Sequence, residues 1–169
     1  MLYEFYGSGF VLSPDGQQIA FYGSDESPEN RGLMLIDADG SNLRLLSRNL
    51  DSFQSSIVWS PDSRTIAFRA LTETRFTPQA GIPKDYWGNT IHLIDVETGS
   101  EWPLLADGST GHIDPVWSPD GSQIAFASMC SGHGEIWVVN ADGTNLQQIT
   151  QHGQFARYPV WLKQPNPQP

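Results

Sequence analysis

Val116-Trp117-Ser118-Pro119-Asp120-Gly121, running on through Ser122 and Gln123 into Ile124-Ala125-Phe126, decides the architecture, because the chain writes this phrase three times. The earlier copies read Val11-Leu12-Ser13-Pro14-Asp15-Gly16 before Ile19-Ala20-Phe21, and Val58-Trp59-Ser60-Pro61-Asp62-Ser63 before Ile66-Ala67-Phe68. A fourth copy opens at Val160-Trp161 and is not completed. A second phrase follows each core: Leu35-Ile36-Asp37-Ala38-Asp39-Gly40, Leu93-Ile94-Asp95-Val96-Glu97-Thr98-Gly99, and Val138-Val139-Asn140-Ala141-Asp142-Gly143. Self-similarity in a fixed order makes each copy one supersecondary unit that cannot bury its apolar faces alone.

The third copy parses most cleanly into four short strands. Pro115 to Trp117 ends at the Ser-Pro-Asp-Gly turn, where Pro presets φ and Gly suits the last position. Gln123 to Ser128 follows, and the Gly-rich loop Cys130 to Gly134 leads to a strand over Glu135 to Val139. Asp142-Gly143 favours a tight reversal with positive φ, and Leu146 to Thr150 closes the unit. No segment carries a helical i, i+3, i+4 stripe, so the chain reads as all-β. Four-stranded meanders with two apolar faces stack radially into β-propellers, whose repeats run ~40–50 residues. The serines at 13, 60 and 118 are spaced close to that period. Trp59, Trp117 and Trp161 share one repeat position and read as blade-to-blade packing on the innermost strand.

The Val-Trp-Ser-Pro-Asp-Gly-x-x-Ile-Ala-Phe phrase, with its Asn-Ala-Asp-Gly-x-Asn-Leu sequel, resembles the WD40-like repeats of TolB-type β-propellers, from about Phe10 to Trp161. Leu12 departs from that pattern where Trp is usual, and Ser63 where Gly is usual. The resemblance implies a propeller segment over 1–163 with blades near 10–47, 57–105 and 115–150 and a partial strand at 159–162. Residues 164–169 are Pro-rich and read as a disordered tail. TolB-type propellers are expected to have six blades, so the chain resembles half a ring, left as an open arc or closed either by a missing half or by a second copy as a homodimer. The resemblance also implies a periplasmic or secreted setting, although the residues from Met1 carry no visible signal peptide.

Nine Lys and Arg against nineteen Asp and Glu give a formal net charge of −10. A nucleic-acid binder needs a basic footprint, so nucleic acid and anionic membrane surfaces are poor partners. No apolar run reaches transmembrane length, so membrane insertion is not expected. The single cysteine, Cys130, cannot form an internal disulfide.

In a meander the loops entering each blade and those between its second and third strands share one face. The long irregular segments all fall there, and function concentrates on loops held by a rigid scaffold. The insertion from Ala70 to Asn89 carries Arg75, Tyr86 and Trp87, residue types enriched at interface hot spots. The blade-entry loops bring His112, Asp114 and Arg157 toward the channel mouth, with His152 and Tyr158 nearby. These residues read as contacts for a protein or peptide, set against a purely structural cover or a solvated rim. Asp37-Ala38-Asp39-Gly40-Ser41-Asn42 is a β-turn, since Leu46 stands where a calcium loop needs a carboxylate. Cys130 and His133 read as an ordinary turn, and the chain has no Gly-x-Ser-x-Gly elbow. The expectation is a non-catalytic interaction module with no metal and no cofactor. The alternatives are the substrate-gating propeller of a prolyl-oligopeptidase-like hydrolase, or a structural fragment without a ligand.

Overall fold

The computed structural model describes residues 6–24, 28–49, 56–71, 88–109, 111–129, 131–151 and 155–162. Strands β1 (Tyr6–Leu12), β2 (Gln18–Ser24), β3 (Gly32–Asp37) and β4 (Arg44–Ser47) form a first antiparallel sheet in that order. A second holds β5 (Ile57–Trp59), β6 (Thr65–Leu71), β7 (Asn89–Asp95) and β8 (Glu101–Pro103). A third holds β9 (His112–Trp117), β10 (Gln123–Ser128), β11 (Glu135–Asn140) and β12 (Gln147–Gln148). Among the described residues the only helical piece is one 3-10 turn at Pro28–Asn30. The protein is thus all-β, three blades of a partial propeller, as the repeats require.

The Ser-Pro-Asp phrase folds the same way each time. Ser118 is buried, donates from Oγ to Asp120 Oδ1 at 2.6 Å, and accepts from the Gln123 amide at 2.9 Å. Asp120 Oδ1 also accepts the Ser122 amide at 3.0 Å, and the Ser118 amide reaches the Gln123 carbonyl at 2.8 Å. Ser13 with Asp15 and Ser60 with Asp62 repeat the hydroxyl-to-carboxylate bond at 2.6 Å. The fourth residue of each phrase is left-handed: φ is 74° at Gly16, 61° at Ser63 and 74° at Gly121. Ser63 accepts backbone strain that glycine avoids, and in return its hydroxyl takes the Asp15 amide of the first blade at 3.1 Å. A second tie joins the two turns of each blade. The amides of Ala38, Val96 and Ala141 donate to the carbonyls of Gln17, Arg64 and Ser122 at 2.8, 3.0 and 2.9 Å.

Alternation along the strands then sorts side chains to the two faces of each blade. Ala20, Leu33 and Leu35 pack with Ile66, Phe68 and Ile94 between the first and second blades. Ala67, Ile91 and Leu93 pack with Ile124, Phe126 and Val139 between the second and third. Trp59 is buried in the first junction and donates Nε1 to the Val11 carbonyl at 3.1 Å. Trp161 repeats that bond to Val116 at 3.1 Å. Trp117 packs against the second junction with its Nε1 buried and lacking an acceptor, which nothing in the structure explains.

The turn carboxylates tie stability to pH. Hydrogen bonds from the Ser118 hydroxyl, then from the Ser122 amide and hydroxyl, hold Asp120 at about 2 against an ordinary 3.8. Asp15 and Asp62 are lowered in the same sense, each chiefly by its serine. A carboxyl bound more weakly by protons when folded stabilises the fold above its unfolded pKa, and that contribution is lost as pH falls through the folded value. The denaturation midpoint should therefore decline between pH 4 and pH 2. Ser118→Ala should flatten that decline and, by leaving the Gln123 amide without its partner, cost about 1–2 kcal/mol at neutral pH. Urea titrations of both proteins across this range check it.

Candidate functional site

Because each blade is an antiparallel meander, the Ser-Pro-Asp and Asp-Gly turns share one end of the arc. The β2–β3, β6–β7 and β10–β11 connections and the blade entries share the other. The inner strands reach that second end through a repeated distortion. The β1–β2 register shifts between Ser8 and Val11, and the β9–β10 register shifts between Ala125 and Ala127. Gly9, Asp114 and Tyr158 each lie two residues ahead of Val11, Val116 and Val160, and are left-handed at φ 68°, 54° and 56°. Bulges of this kind re-aim side chains and tolerate proline, which lacks a ladder donor. Pro115 and Pro159 sit at that point. The strand therefore continues past Pro115, and His112 and Asp114 belong to β9 rather than to a blade-entry loop.

The bulge brings two of the sequence-selected residues together. Arg157 Nε meets Asp114 Oδ2 at 3.0 Å and Nη2 meets Oδ1 at 3.4 Å, a fork-to-fork pair largely shielded from solvent. The same guanidinium lies 4.7 Å from the centroid of the Tyr158 ring. Tyr158 is 67% exposed despite its left-handed backbone. A clamped cation under an exposed aromatic is thus presented at the loop end.

His112 is not part of that surface. It is 1% exposed, stacks edge-on against Phe126 at 5.4 Å, and lies between Ser109 Oγ and Ser128 Oγ, each at 2.9 Å. Ser109 spends its hydroxyl proton on Asp107 Oδ1 at 2.6 Å, so His112 donates from Nε2 and accepts the Ser128 hydroxyl at Nδ1. Burial pushes the imidazole down to about 4, with the Asp107 charge opposing in part. The chain Asp107–Ser109–His112–Ser128 anchors the blade entry, with the Ser109 hydroxyl proton committed to Asp107. The expected place of His112 at the channel mouth is thus overturned by its two partners, Ser109 in the β8–β9 connection and Ser128 in β10.

Arg75, Tyr86, Trp87, His152 and Cys130 lie outside the described residues. The insertion carrying the first three returns at Gly88 and Asn89, where the Asn89 carbonyl accepts the Gly111 amide at 2.7 Å. Its root therefore adjoins the entry of the third blade. Among the described residues no cluster of His, Cys, Asp or Glu could hold a metal ion, and Asp39 is committed to Ser41 through bonds of 2.6 and 2.9 Å. No helix among them is long and apolar enough to cross a membrane.

A family model, the TolB β-propeller domain (PD40), matches residues 17–166. The chain belongs to that family. An uncharacterized protein of Agrobacterium fabrum, Atu1656, is 28% identical over 158 residues, covering 92% of this chain and 46% of its own. The solved structure of a putative TolB from Agrobacterium tumefaciens superposes with TM-score 0.62 at 27% identity, covering 84% of this chain and 45% of that one. The uncharacterized peptidase YuxL of Bacillus subtilis is 27% identical over 84 residues, 49% of this chain and 13% of its own. The chain thus spans less than half the length of these relatives.

Two measurements probe the geometry of this PD40 segment. His112 is held neutral in the fold below its ordinary 6.5, so the unfolded chain binds the proton first and stability falls as pH drops from 6.5 toward 4. His112→Gln should lower overall stability and flatten that part of the profile. A double-mutant cycle of Asp114→Ala and Arg157→Ala should return a coupling of about 1–2 kcal/mol by urea denaturation, above the range of exposed pairs.

Proposed function

We propose that this PD40 segment is a non-catalytic interaction module that binds a protein or peptide at the loop end of its inner strands. The observation that carries the reading is Tyr158. A bulky residue in the left-handed region is an outlier costing about 1–2 kcal/mol, and Gly9 meets the same backbone demand in the first blade. The fold itself does not need an aromatic there, while a binding surface does. Tyr and Arg are hot-spot types, and a side chain already fixed loses little entropy on binding. Asp114 supports the surface by holding Arg157, and Arg75, Tyr86 and Trp87 are proposed as further contacts from the neighbouring insertion. His112 holds the entry strand that carries Asp114 in place. A net charge of −10 favours a partner whose docking face is basic or neutral. A periplasmic or secreted setting belongs to the same proposal, on the likeness to TolB.

Affinity capture from an extract of the source organism tests it. Tyr158→Ala and Trp87→Ala should each reduce retention of the partner at least tenfold with the unfolding midpoint kept. Tyr158→Gly should hold or raise stability and still lose binding. Equal retention by all variants would sink the proposal.

The sequence likeness to the peptidase YuxL favours a second reading, the gating propeller of a hydrolase. An α/β-hydrolase domain with a nucleophile elbow in the same coding sequence would decide for it.

A further inference from the structure

Among the described residues two blade junctions are closed and a third lacks its partner blade. Leu33 and Leu35 of the first blade, and Ile91 and Leu93 of the second, are at most 1% exposed beneath the next blade. The same register positions in the third blade are Ile136 and Val138, and both are half-buried. Beside that blade runs the segment 155–162, which already makes the contacts of an inner strand. Trp161 Nε1 bonds the Val116 carbonyl as Trp59 Nε1 bonds that of Val11, both at 3.1 Å, and Tyr158 repeats the left-handed backbone of Asp114. Among the described residues, however, no strand pairs with Pro159 to Leu162, and Val160 and Leu162 are 77% and 85% exposed.

The other end of the arc is complementary. Phe21 and Ile36 occupy the positions at which Phe68 with Ile94, and Phe126 with Val139, meet a preceding blade. Here Phe21 is covered instead by Phe10, stacked at 4.9 Å. The inner strand of this first blade also departs from the other two. It carries Gly7 and Gly9, and it sets Leu12 against Ile19 where the other blades set Trp59 against Ile66 and Trp117 against Ile124.

We propose that a second copy of this chain covers the open side by exchanging inner strands. Segment 155–162 of each copy replaces β1 on the other's first blade, setting Trp161 against the partner's Ile19 and Val160 against the partner's Ala20. Ladder hydrogen bonds are exchanged nearly one for one. The gain is the burial of Val160 and Leu162 and the substitution of a tryptophan for Leu12 at the junction. The junction chemistry already present twice in the chain is thereby continued across the dimer. Arg157 and Tyr158 lie on the exchanged segment, but the mass measurement below does not depend on what the loop end binds.

Light scattering coupled to size exclusion over a dilution series, at 0.15 M salt to screen the acidic surfaces, reads the outcome. The expected mass is twice the chain's 18.7 kDa. Val160→Lys with Leu162→Lys should return it to a monomer with unchanged circular dichroism. Both side chains are exposed in the single chain, and the added charge weakens rather than strengthens repulsion between copies. Leu12→Trp, which reinforces β1, should also shift the balance toward monomer. A monomer for the unmodified chain, or a dimer indifferent to the two lysines, overturns the proposal.

Discussion

A serine hydroxyl donating at 2.6 Å to the carboxylate two residues on, made three times, is the bond from which each blade is set out. It closes the turn between the inner strand and the Ile-Ala-Phe strand, and its oxygen also accepts the amide five residues on. Register follows. Side chains alternate with period 2, so a slip of one residue would send Phe68 or Phe126 to the wrong face of its sheet. The local bond is small in net energy, but the apolar core is distributed by the register it fixes.

The junctions extend the same logic between blades. Each blade presents an aromatic face, Phe68 or Phe126, to the aliphatic face of its predecessor, and backbone approach at the turn end completes the contact. Gly143 shows how tightly. A Cβ there would fall 2.5 Å from the Leu104 carbonyl oxygen of the neighbouring blade, and its φ is 82°. Glycine is needed twice over at that position, by the turn and by the adjacent blade. Ser63 makes the opposite compromise, retaining a left-handed side chain because its hydroxyl reaches Asp15 across a junction.

The repeats made most of the fold legible, because turn chemistry and strand alternation are local and recur in order. Ser13, Ser60 and Ser118, the Asp-Gly turns and the tryptophan positions could all be read without coordinates. The candidate site was legible in part. Asp114 and Arg157 were named separately, but their pairing joins residues 43 apart and depends on a bulge. A signal for that bulge was present in the identical spacing of Asp114-Pro115-Val116-Trp117 and Tyr158-Pro159-Val160-Trp161. His112 was misplaced because polarity marks a surface only when partners are lacking. Ser109 and Ser128 satisfy both of its ring nitrogens, and nothing in the local sequence announces them.

Gly9, Asp114 and Tyr158 put three different chemistries on one backbone geometry. Because the bulge and the following valine hold that geometry, the side chain at this position can vary without moving the blade. Glycine there incurs the least strain and contributes nothing to a surface. Aspartate is tolerated in the left-handed region and is tied to Arg157. Tyrosine is the least suited by backbone preference, yet its side chain is exposed where that of Asp114 is largely buried, and its only ring contact among the described residues is Arg157. Strain kept at Tyr158, where Gly9 shows that the scaffold does not require it, is what supports the proposed contact at this end of the inner strands.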